Sequence, residues 1–256
     1  MDGSLLSSNG ISEVPQTESL CSGQPPIFNS HSILTCESEI DKAARESVGS
    51  ALIDYVLLDY SVRQYHANWK EYVDVFNDNY HIPTIHPGFR RMVKQSDIKW
   101  DVGDRYISCT MGWDQKFYQQ DEDPLFREYA DRLLDVYGEK EWNFGARWVT
   151  LFPNTLIELY QDYLLLVVVT PRTVCLCDRH GWVYGKGAAM ANRTMTAAFV
   201  AAIDSTEAQD AEILQTIHKS RFELWQMGRE HNDQWSHSAE KEAPRFHRYV
   251  EESVRP

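Results

Sequence analysis

Asn68-Trp69-Lys70, followed by Asp78-Asn79-Tyr80-His81-Ile82-Pro83-Thr84-Ile85-His86-Pro87, is the informative stretch of this chain. Tyr72, Val75, Phe76 and Tyr80 recur at helical spacing, which predicts a helix over residues 68–81. Pro83 is expected to end or kink that helix, and Pro87 favours an extended residue at His86. Asp78 and His81 are three apart and so are expected to share a helix face. His86 follows five residues later, and a break at Pro83 would let both imidazoles turn to one point. Two neutral imidazoles suit Fe, Zn, Ni or Cu. On spacing alone, such a pair is more often found as surface or core histidines of a loop. The spacing is not that of an HEXXH zinc site. A metal reading needs a third ligand, and three ligands rather than four leave positions open for chemistry.

Outward from this stretch the pattern is mixed. Residues 56–67 alternate loosely, as a strand does, and 106–111 read the same way. Residues 123–138 form an amphipathic helical pattern with Leu125, Tyr129, Leu133 and Val136 on one side and Gly138 as the stop. Strands are predicted at 147–152, 155–160, 163–170 and 174–178, with a tight turn at Pro171-Arg172. Strands in series joined by short turns predict an antiparallel sheet. Residues 188–203 and 206–228 read as two helices. The fold class expected is therefore α+β, a central antiparallel sheet covered by helices.

Residues 1–45 are rich in Ser, Gly, Pro and Asn and read as a flexible tail, with a short helix possible in composition over 37–50. Residues 46–256 read as one domain. The formal net charge of −13 argues against nucleic acid and against an anionic membrane. No apolar stretch is long enough to cross a bilayer, and the N-terminus lacks a basic start and an apolar core, so a cytoplasmic protein is expected. Five cysteines at irregular spacing, Cys21, Cys36, Cys109, Cys175 and Cys177, suggest free thiols. Cys175 and Cys177 are expected on one face of a strand, and a lone C-x-C is weak evidence for a metal.

Asn-Trp-Lys followed by Asp-x-x-His-x-x-x-x-His-Pro resembles the catalytic domain of the Rieske non-heme iron oxygenases, the ring-hydroxylating oxygenase alpha subunits. The resemblance covers roughly residues 55–256. Phe152-Pro153-Asn154, the strand 156–160 and residues 162–171 resemble that family's central sheet. Residues 209–218 are similar to its late acidic helix, and Arg245-Phe246-His247-Arg248 resembles a motif of members related to choline and betaine oxygenases. The resemblance implies a helix-grip, START-like fold and an Fe(II) site made by His81, His86 and Asp210, with O2 as co-substrate. A competing register would put Glu207 in the carboxylate slot; Asp210 is preferred because Ile213, Leu214 and Ile217 fix the alignment. Asp78 matches the family's bridging carboxylate, which orients an iron histidine and links to a neighbouring subunit's cluster. Asp74 stands where the family usually has Asn beside the iron, so Asp78 and Asp74 are the two catalytic candidates.

A Rieske [2Fe-2S] cluster needs a Cys-x-His and a later Cys-x-x-His. Cys21, His31 and Cys36 are not in that arrangement, so this chain is not expected to hold the cluster. The resemblance then implies an oxygenase component that hydroxylates or demethylates a small arene or amine. Electrons would come from a separate Rieske ferredoxin or reductase partner, and the assembly would be a homotrimer or a hetero-oligomer. The alternative is a non-catalytic paralogue that assembles with active alpha subunits. A zinc hydrolase on the same ligands ranks last, because no general base accompanies the histidines.

Overall fold

The computed structural model describes residues 54–229, 240 and 242–254. The tail expected over 1–45 and the helix expected over 37–50 lie outside the described residues. Seven strands form one antiparallel sheet: β1 (Val56–Tyr65), β2 (Val93–Val102), β3 (Tyr106–Trp113), β4 (Ala146–Leu151), β5 (Thr155–Leu159), β6 (Tyr163–Thr173) and β7 (Leu176–Gly185). Their spatial order is β1-β7-β6-β5-β4-β3-β2. Strands β2 to β7 pair with their sequence neighbours, and β1 crosses over to close against β7. The α+β class with a helix-covered antiparallel sheet is as expected.

Alternation along the strands sorts the apolar residues into two layers. In β6, Tyr163, Leu165, Val167 and Val169 pack on the helix side, while Leu164 and Leu166 join a separate cluster with Val149, Leu151, Ile157 and Leu159. The helix side receives α1 (Trp69–Asn77), α3 (Pro124–Tyr137), α5 (Arg193–Gln226) and α6 (Ala243–Val254). Two short helices, α2 (Ile82–Ile85) and α4 (Ala188–Ala191), complete the set. Asp123 caps α3 by accepting the Leu125 and Phe126 N–H groups, and Gly138 ends it at φ 66°, a left-handed value that suits glycine.

Several boundaries differ from expectation. The helix expected to run to residue 81 stops at Asn77, with Asp78 as its extended C-cap. Pro83 therefore sits in the first turn of α2, where its missing N–H costs nothing, rather than breaking a helix. Asp78 and His81 consequently do not share a helix face. The turn expected at Pro171-Arg172 lies at Val174-Cys175, so β6 and β7 are both longer, and Cys175 sits in the turn while Cys177 is buried in β7. The two late helices are one continuous helix across residues 204–205, broken only earlier at Asn192. Strand β2 escaped the pattern because polar residues and a register shift between Lys94 and Lys99 interrupt its alternation. No described helix is long and apolar enough to cross a membrane.

Candidate metal centre

Helix α1 starts with a reciprocal cap. The Asn68 side chain accepts the Lys70 N–H, and the Glu71 carboxylate accepts the Asn68 N–H at 3.1 Å. The helix delivers Asp78 at its end. Asp78 then makes two bonds, accepting the Tyr80 N–H with one oxygen and facing His81 Nδ1 at 3.1 Å with the other. His81 opens α2 and His86 closes it, so one short turn of helix separates the two rings. On the far side, α5 lays Asp210 over both rings.

Three atoms converge. His81 Nε2 and His86 Nε2 are 3.0 Å apart, and Asp210 Oδ1 is 3.3 Å from the first and 3.0 Å from the second. His86 Nδ1 donates to Gln209 Oε1 at 2.8 Å. Since Asp78 and the Gln209 oxygen only accept, each Nδ1 carries the hydrogen and each Nε2 presents a lone pair inward. With both rings neutral, two ring lone pairs and a carboxylate oxygen then face one another, and the enclosed Asp210 Oδ1 receives no hydrogen bond. Such a cluster of acceptors needs a cation. Ligands about 2.1 Å from a metal and at right angles to each other lie ~3.0 Å apart, so the observed triangle fits one face of an octahedral ion. The donor set, two imidazoles and one carboxylate, suits iron(II) with other positions left open.

The electrostatics agree. Burial opposes a charge on His81, but hydrogen bonds and charge from Asp210 and Asp78 outweigh it and raise its pKa to about 9. Burial also works against the Asp210 carboxylate, yet the two histidines hold it below its ordinary value. The site therefore favours an added positive charge, whether a proton or a metal ion supplies it. A cavity opens beside the triad, with about 720 Å³ between its lining atoms including the mouth. Six aromatic side chains line it together with aliphatic ones, and Glu158, Glu207 and Asp78 also face it.

Of the residues expected at the site, His81, His86, Asp210 and Asp78 come together. Asp74 does not. It points to a second cavity, where its carboxylate takes Arg221 at 3.0 Å and His247 Nε2 at 2.7 Å. The expectation that Asp74 sits beside the metal is corrected: four residues before Asp78 on α1, it is turned to the face that receives the C-terminal helix. Glu207 is one turn from Asp210 on α5 and is held by Arg179 and, at 2.8 Å, by Arg63. Those ion pairs remove it from the histidines and leave Asp210 as the converging carboxylate. Gln209, which meets His86 Nδ1, is marked in the sequence only by its place beside Asp210. Glu158 is marked only by sharing its strand face with Leu156 and Tyr160, which is too weak a signal to name it as a site residue from sequence.

Three kinds of likeness bear on this geometry. The ring hydroxylating alpha subunit (catalytic domain) family matches residues 49–255. A putrescine 2-hydroxylase of Bordetella bronchiseptica is 37% identical over 120 residues, covering 47% of this chain and 28% of that protein. A putrescine 2-hydroxylase of Ralstonia nicotianae is 24% identical over 178 residues, covering 68% of this chain and 48% of that protein. This chain thus spans between about a quarter and a half of those relatives' length. Among solved structures, a quaternary ammonium Rieske monooxygenase bound to its substrate L-carnitine aligns with a TM-score of 0.61 at 13% identity, over 84% of this chain and 53% of that one. Dicamba monooxygenase bound to dicamba aligns with a TM-score of 0.54 at 13% identity, over 78% and 58%. At such identity these two structures speak to the fold alone.

Proposed function

This chain belongs to the ring hydroxylating alpha subunit family, matching its catalytic domain, and from that membership we propose that it is a non-heme Fe(II), O2-dependent oxygenase component. It would hydroxylate or demethylate a small organic substrate, an amine or an arene, with electrons delivered by a separate Rieske ferredoxin or reductase. The observation that carries this reading is the triangle of His81 Nε2, His86 Nε2 and Asp210 Oδ1, with edges of 3.0 to 3.3 Å. Residues 46–256 are read as the catalytic domain.

In this reading His81, His86 and Asp210 hold the iron, which when bound supplies the redox chemistry of O2. Asp78 and Gln209 each accept a ring N–H and fix the tautomer that points a lone pair at the ion. Phe76, Phe89, Trp148 and Tyr160 line the cavity and limit water around the substrate. The Asp78–Tyr80 corner is the outward side of the site, with Tyr80 70% exposed, so a partner delivering electrons would approach there. Putrescine 2-hydroxylase relatives favour an amine among the two substrate classes.

Iron analysis of the purified chain and ¹⁸O incorporation from ¹⁸O2 into product, with a reductase system added, test the proposal. About one iron per chain is expected, falling to near zero in Asp210→Ala. Asp78→Asn should weaken iron binding by roughly 10- to 100-fold. A folded wild-type chain that takes up no iron would overturn the reading.

A further inference from the structure

Four carboxylates and two imidazoles line the metal-side cavity, and no described Lys or Arg does. Three of the acids face imidazole or guanidinium groups. Asp210 faces both Nε2 atoms, Asp78 takes the His81 N–H, and Glu207 is held between Arg63 and Arg179. Glu158 is the exception. Its Oε2 accepts the Tyr160 hydroxyl at 2.6 Å; Arg179, committed to Glu207, acts on it only at longer range, and no described Lys, Arg or His forms an ion pair with it.

Its position is set by the strand. Leu156, Glu158 and Tyr160 alternate onto the helix side of the sheet, with Glu158 opposite Trp148 on β4 and Leu165 on β6. Phe89 meets both Trp148 and Tyr160 edge-on, at ring separations of 5.5 and 6.3 Å. Across the cavity, Tyr65 and Tyr72 pack edge-on at 5.2 Å. A carboxylate in such walls costs free energy unless a counter-charge arrives. Consistent with that, burial pushes the Glu158 carboxyl up to about 7. An ammonium bearing N–H groups answers the need on two counts: it can donate to the carboxylate, and its charge is attracted to aromatic faces.

We propose that Glu158, positioned by Tyr160 and walled by Phe89 and Trp148, is the subsite that recognises the ammonium group of an aliphatic amine substrate. This assignment rests on the reading of the same cavity as an iron oxygenase site. It separates the two substrate classes, because a neutral arene would bring Glu158 no ion pair.

The test is calorimetric binding to the full chain at about pH 8, anaerobically with Fe(II) and again without metal, using butylammonium chloride and 1-butanol as probes. Butylammonium is expected to bind wild type at least about tenfold more tightly than 1-butanol. Glu158→Gln should bring the two affinities within about twofold while leaving 1-butanol unchanged. Equal affinities in wild type, or an undiminished ammonium preference in Glu158→Gln, overturn the subsite. Should that variant fail to fold by circular dichroism, the wild-type ratio decides alone. Ammonium preference without iron uptake would remove the oxygenase reading, whereas iron uptake without the preference would remove only the subsite.

Discussion

Glu158 shows what a single residue contributes when burial and function pull apart. An ordinary glutamic acid titrates near ~4.3, and burial raises this one to about 7. A raised folded-state pKa has a definite sign for stability. The benefit is complete below the unfolded value and is lost as pH climbs through the folded value. Between about pH 4.5 and 7.5 the wild type should therefore lose roughly 1–3 kcal/mol relative to Glu158→Gln. Urea unfolding of both proteins across that range checks it, and parallel pH curves would mean that Glu158 ionises as freely folded as unfolded. The candidate ligands behave differently. His81 and His86 are marked by the motif Asp-x-x-His-x-x-x-x-His-Pro, and Asp210 by the family resemblance, with Glu207 as its competitor. Gln209 and Glu158 carry no such mark, since their roles depend on what the fold places opposite them.

Among the elements, α5 brings the site together. It carries Glu207 to its arginine partners, Gln209 to His86 and Asp210 to both rings, within one turn. Leu214, one turn further on and 2% exposed, anchors that segment in the cluster of Tyr65, Val73, Leu156 and Val167. Leu214→Ala should cost about 2–5 kcal/mol in chemical denaturation and should also weaken iron uptake, because the Asp210 carboxylate loses its support. Lost stability with unchanged iron affinity would show that other contacts set the helix position. The broken end of α1 illustrates the opposite case. The Asp-x-x-His pair meets although the residues are not on a helix, since the Asp78 carboxylate caps the turn itself through the Tyr80 N–H. The contact that the resemblance implies is present, whereas the shared helix face expected from the spacing is not.

On the scale of the whole molecule, the candidate metal triad links residues 81 and 86, beside the sheet, to residue 210 on a helix formed after the last strand. A cation that binds only this folded arrangement must stabilise the entire domain. Free Fe(II) at about a hundred times its Kd should add ~2.7 kcal/mol, which for a domain of this size raises the Tm by roughly 5–10 °C. Differential scanning calorimetry with and without a chelator measures it, and Asp210→Ala should show no rise. A wild-type Tm indifferent to iron would count against a metal-dependent centre. The amino-acid pattern by itself determined the α+β class, six of the seven strands and the His-x-x-x-x-His pair, because alternation, helical spacing and turn residues are local properties of the chain. Only the tertiary structure placed Asp210 rather than Glu207 against the two rings, turned Asp74 to Arg221 and His247, and left Glu158 with no ion pair among the described residues. Each of those outcomes depends on groups far apart in the chain, Arg63 and Arg179 for Glu207, Arg221 and His247 for Asp74, and long-range charge pairing leaves no periodic trace in a sequence.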